Sequence, residues 1–72
     1  MDEISITTEY ITLVQFLKYC GVADNGSMAN DLVRNGEVWV NGELCTMRGK
    51  KLRPGDTVAV LGRAFVIKAK KH

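Results

Sequence analysis

Histidine is all but missing from this chain: the only one is the last residue, His72. With no internal imidazole, neither Ser27 nor a cysteine has a base to activate it, which argues against triad-type hydrolysis. A Cys/His metal site also lacks ligands. Cys20 and Cys45 are the only cysteines, and they have no CxxC spacing. They predict two free, buried thiols and a reducing compartment, so the cytoplasm is the expected location. No stretch approaches the ~20 apolar residues of a membrane span. Asp2 and Glu3 stand where a secretory signal would be basic. Gly49-Lys50-Lys51 imitates a phosphate loop, but that pattern needs glycine where Leu44 stands and Ser or Thr where Lys51 stands. Asp24 and Asp31, the nearest thing to a carboxylate pair, suit a turn and a helix surface. The expectation is a protein that is not an enzyme, with no cofactor, no metal and no small-molecule substrate.

Basic residues are scarce in the first two thirds. Lys18 and Arg34 are the only ones before Met47. Eight follow: Arg48, Lys50, Lys51, Arg53, Arg63, Lys68, Lys70 and Lys71. Residues 1–47 set seven acids against two bases, net −5, and residues 48–72 set eight bases against Asp56, net +7. The overall +2 hides this separation. It points to a polyanionic partner, nucleic acid above all. The plainer reading is that lysines solubilise a sheet edge or tail. Membrane-surface binding through the lysine-rich end would need an adjacent basic amphipathic helix, and none is evident.

With 72 residues there is room for one domain, residues 1–72, with its core at 11–68 and a basic end at 68–72. The content is 46% hydrophobic and 25% charged, ordinary for a globular chain. Ile4-Ser5-Ile6-Thr7 alternates like a short strand. Thr12 and Gln15 fit a capping box for a first helix. Leu13, Val14, Leu17 and Cys20 share its apolar face, and Gly21 ends it. Gln15, Lys18 and Tyr19 fall on the opposite side. Asp24-Asn25-Gly26 is turn material, and Ser27 is the predicted N-cap of a second helix reaching about Asn35. Met28, Ala29, Leu32 and Val33 would form its apolar face.

The remainder reads as β structure. Val38-Trp39-Val40, Asn41-Gly42 and Glu43-Leu44-Cys45 predict a hairpin with a type I′ turn. Its register sets Val40 opposite Glu43 and Trp39 opposite Leu44, with Val38, Val40 and Cys45 toward the core. Thr46 to Arg53 reads as a cationic loop, and Pro54-Gly55 as the centre of a type II turn. Strands are predicted at Thr57–Leu61 and Ala64–Lys68. A Gly62-Arg63 turn between them would pair Val60 with Phe65 and Val58 with Ile67.

The order of these parts resembles a known family. Phe16-Leu17, Gly21-Val22, Gly26-Ser27, Ala29 and Leu32-Val33 match it, as does the run Gly36-Glu37-Val38-Trp39-Val40-Asn41-Gly42. Lys51-Leu52, Gly55-Asp56 and Val58 close the pattern. The set is similar to the alpha-L RNA-binding domain, named after small-subunit ribosomal protein four, and covers roughly Ile11 to Val60. Beginning at Met1 without a catalytic domain, the chain looks like the small stand-alone members, the YaaA/YbcJ-like group.

The resemblance implies an α+β fold with two short N-terminal helices packed on a small, bent, mainly antiparallel sheet. It also implies binding of structured RNA, ribosomal or tRNA-like, by shape and phosphate contacts, with the ribosomal particle as a partner and the protein a monomer. Many members carry arginine directly after the helix-two serine. Here Met28 stands there, and Asn30 and Asp31 follow, so the cationic patch of helix two is thin. Ser27 and Arg34 carry over. The expected RNA-binding set is therefore Lys18, Ser27, Arg34, Arg48, Lys50, Lys51 and Arg53. Tyr19 and Trp39 are stacking candidates, though Tyr19 better suits covering a helix edge and Trp39 packing against Leu44. The alternative function is a protein-interaction module with residual RNA affinity, prompted by Asp24, Asp31 and Glu37.

Overall fold

Two helices form where the sequence supplies both a cap and an apolar stripe. The computed structural model describes residues 1–70; Lys71 and His72, part of the expected basic end, lie outside the described residues. Helix α1 runs Leu13–Tyr19 and helix α2 runs Gly26–Arg34. The Gln15 N–H donates to Thr12 Oγ1 at 3.4 Å, so Thr12 caps α1 as expected. At α2 the cap is Asn25, not Ser27: the Met28 N–H donates to Asn25 Oδ1 at 2.8 Å. Both residues are good caps, and composition alone does not choose between them. Asn25 wins because the helix starts at Gly26, one residue before Ser27. Ser27 thus lies in the first turn, exposed. Met28 is exposed as well and leaves the predicted apolar face, while Ala29, Leu32 and Val33 are buried.

Among the described residues seven strands follow the chain order β1 Asp2–Ile6, β2 Ile11–Thr12, β3 Val38–Val40, β4 Glu43–Leu44, β5 Lys51–Leu52, β6 Thr57–Val60 and β7 Arg63–Ala69. Five make one mixed sheet in the order β1-β7-β6-β3-β4. Only the β1–β7 pair is parallel; the other pairs are antiparallel. A separate two-stranded sheet joins β2 to β5, pairing Ile11 with Leu52 and Thr12 with Lys51. The stretch expected as pure loop therefore contains a strand. Its two residues are too few to show a period.

The Asn41-Gly42 hairpin forms in the expected register, with Trp39 opposite Leu44 and Val40 opposite Glu43. Asn41 has φ 52° and Gly42 φ 82°, the two left-handed positions of a type I′ turn. The β6–β7 hairpin differs from expectation. Its turn is Leu61-Gly62, with φ 50° and 76°, and Val58 faces Phe65 while Val60 faces Arg63. The register is two residues from the predicted one. A slip of two leaves every side chain on its original face, so the hydrophobic pattern does not distinguish the two alignments.

One face of the sheet carries the core. Val38, Val40, Val58, Val60, Phe65 and Ile67 are buried, packed with Leu13, Phe16 and Leu17 of α1 and with Ala29, Leu32 and Val33 of α2. Phe16 meets Phe65 edge-to-face at a centroid distance of 5.6 Å. Ile6 and Leu52 extend this core from β1 and β5. Trp39 and Leu44 lie on the helix-free face and remain exposed. Both thiols are free and only half-buried, less enclosed than expected. Burial pushes the Cys20 thiol above its ordinary range, which disfavours the reactive thiolate.

Candidate nucleic-acid interface

The basic loop is held by its backbone and not by ion pairs of its charged side chains. The first N–H groups of a helix have no partner inside it. Here the loop supplies them: the Leu13 N–H donates to the Lys50 carbonyl at 2.8 Å, and the Val14 N–H donates to the Arg48 carbonyl at 3.2 Å. Within the loop, the Lys50 N–H donates to the Met47 carbonyl at 3.1 Å. The β2–β5 pair and the buried Leu52 then fix its far end.

A second set of bonds holds the following turn. The Asn41 amide donates to Asp56 Oδ1 at 3.1 Å, and Asn41 Oδ1 accepts from the Thr57 N–H at 2.9 Å. The Arg53 N–H donates to Asp56 Oδ2 at 2.8 Å, and the Asp56 N–H donates to the Arg53 carbonyl at 3.0 Å. Asn41 is therefore both a turn residue and the tie between the hairpin tip and the exit of the loop.

Arg48, Lys50, Lys51 and Arg53 are all exposed. Among the described residues the ion pairs are Arg34–Asp31 at 2.6 Å and Arg63–Asp2 at 3.5 Å. None of the four loop cations, nor Lys18, is in either pair. Lys51 instead places its ammonium 4.9 Å from the centre of the Tyr10 ring.

The expected residues separate around the loop. A cleft between α2 and the loop is lined by Asn30, Val33, Arg34, Met47, Arg48 and Gly49, among others, so Arg34 and Arg48 come together. Asn30 Oδ1 is buried beside it without a hydrogen-bond partner. Ser27 lies one turn earlier on α2, outside the residues that line this cleft. Lys18 lies along a different cleft, between α1 and the segment before it, with Tyr10, Gln15 and Tyr19. Lys50 lines a third hollow against the β3–β4 hairpin, where Glu43 also sits. Arg53 lines none of these three and belongs to the Asp56 turn.

Sequence reasoning missed Tyr10 and Asn30. Asn30 carries a usable signal, since it shares a helical face with Ser27 and Arg34 at i−3 and i+4 spacing. Tyr10 carries none, because a two-residue strand brings Lys51 to it. Chemically, the arrangement can hold phosphates with exposed cations and offer aromatic faces to bases. Among the described residues no cluster of three His, Cys, Asp or Glu groups is placed to hold a metal ion. No helix among them is long and apolar enough to cross a membrane.

The S4 domain family model matches residues 4–68. A relative from Bacillus subtilis (strain 168), "Probable ribosome maturation protein RlbA", is 49% identical over 61 residues, which is 85% of this chain and 86% of that protein. The chain belongs to the S4 domain family, the one its Gly36–Gly42 run resembles.

Proposed function

We propose that this S4-domain chain is a non-enzymatic, RNA-binding protein that recognises structured RNA, ribosomal RNA first, and acts on or beside the ribosomal particle. The observation that carries this reading is the Arg48–Arg53 loop, with four exposed cations outside any ion pair and a backbone pinned to the start of α1. Mutual repulsion among fixed cations is relieved when phosphates neutralise them, and counterion release adds to affinity. Pinning the loop beforehand lowers the ordering cost of binding. The name of the B. subtilis relative, a probable ribosome maturation protein, supports ribosomal RNA over other structured RNA.

In this reading Arg48, Lys50, Lys51 and Arg53 contact phosphates, Arg34 joins Arg48 across the α2 cleft, and Lys18 extends the track past α1. Ser27 adds a hydroxyl and an N–H in the first turn of α2. The protein works as a monomer in the cytoplasm, without cofactor or metal. The protein-interaction alternative drew on Asp24, Asp31 and Glu37. Asp31 pairs with Arg34 in an exposed contact, while the unpaired cations of the loop favour an anionic partner, which supports the RNA reading.

The test is titration of a ribosomal-RNA stem–loop at several salt concentrations. Log affinity should fall linearly with log salt, with a slope near −0.7 to −0.9 per phosphate neutralised. The double variant Arg48→Glu/Lys50→Glu should lose on the order of a hundredfold in affinity at about 0.1 M salt, with a flatter slope. Salt-insensitive binding, or equal binding by the variant, would show the loop assignment to be wrong.

A further inference from the structure

We infer that the cleft between α1 and the segment Thr8–Ile11 receives an unpaired nucleobase of the bound RNA, which stacks on Tyr10 or Tyr19. The inference rests on the RNA-binding reading and adds a base site to what is otherwise phosphate recognition. Both tyrosines line the cleft, at 38% and 62% exposure, so their rings are available. Tyr19 is held through its side chain, whose hydroxyl donates to the Ser5 carbonyl at 3.1 Å; at Tyr10 it is the backbone that is held, its carbonyl accepting from the Thr8 hydroxyl at 2.8 Å. Lys51 sits over the Tyr10 ring at 4.9 Å and is not among the residues that line the cleft. Rigid aromatic surfaces bind with little loss of side-chain freedom.

Inside the cleft it is the walls that suit a base. Glu9 and Lys18 both line it and their charges balance, while Tyr10, Tyr19 and Ile11 contribute aromatic and apolar surface. Lys18 lines the same cleft, and Lys51 stands next to Tyr10. The two lysines thus give the sugar–phosphate backbone a path at the rim while the base turns inward. Gln15, also in the lining, offers an amide able to donate to and accept from a base edge. Duplex RNA keeps its bases stacked internally and has none to place here. The site therefore selects a loop, bulge or single-stranded end. The base chemistry comes from the tyrosines, and a base of any identity has a face to stack.

The experiment compares two probes of equal phosphate count, an RNA stem–loop and a blunt, fully paired RNA duplex. Because stacking on an aromatic side chain contributes to affinity base by base, Tyr10→Leu and Tyr19→Leu should each weaken stem–loop binding roughly tenfold. The change on the duplex should be far smaller, and Tyr19→Phe, which keeps the ring, should recover most of the loss. In the unsubstituted chain, stem–loop addition should move Tyr10 or Tyr19 ring protons upfield in NMR spectra, and the duplex should not. If both leucine variants keep their melting temperature and bind the stem–loop like the parent chain, or if no ring proton moves, the base site is wrong while RNA binding stands. If the parent chain binds neither probe, both readings fall together.

Discussion

Arg34 at the end of α2 and Arg48 in the loop line the same cleft, yet their circumstances differ. Arg34 is answered by Asp31 one turn away, in a pair that is largely exposed, and exposed pairs contribute well under 1 kcal/mol. Arg48 has no carboxylate partner among the described residues, and its carbonyl caps α1. Helix two therefore offers a cation that must leave its partner to bind an anion. The loop offers cations already waiting. The usable charge of this chain lies in a segment anchored by main-chain bonds. What fixes the loop is its backbone and one apolar residue, so its charges can be changed without disturbing its shape.

The strongest way to break the contrast is to loosen the loop while keeping every charge. Leu52 is fully buried at its far end. Leu52→Ala should destabilise the protein by about 2–5 kcal/mol in urea unfolding. In conditions where it stays folded, RNA affinity should fall although no cation is lost. Next in size is Asn41→Ala. It forces alanine to a left-handed φ and removes the bonds to Asp56 and Thr57. A loss of about 2 kcal/mol is expected, read from the thermal transition, with the Arg53 turn freed. The smallest change sharpens the contrast from the other side. Asp31→Asn releases Arg34, and RNA affinity at fixed salt should rise about twofold while stability barely moves.

Much of this arrangement was legible where sequence signals are local. Asn41-Gly42 set a turn type and with it a register, and the glycines at 21 and 36 marked helix ends. The loop's cations were visible as composition. Other features depend on partners distant in sequence. The β2–β5 pair is two residues long, so neither side has a pattern to read, and without it Tyr10 and Lys51 do not meet. The β6–β7 register escaped because its two candidates bury the same side chains. Leucine at φ 50° is not a residue one would choose for a type I′ turn. Ser27 suits a helix cap, and so does Asn25 two places earlier, so residue type does not choose between them.

The parallel pair of β1 with β7 carries a consequence for how the chain folds. Asp2 lies beside Phe65 and Ile6 beside Ala69, partners more than sixty residues apart. Closing so long a loop costs chain entropy before any contact repays it, and such topology slows folding. The hairpins and the helix pair can form from neighbouring sequence, but β1 has nothing to join until β7 exists. As an edge strand it is held on one side only, by β7. While β1 is absent, the outer rim of β7 is a row of unpaired backbone groups open to any passing extended segment.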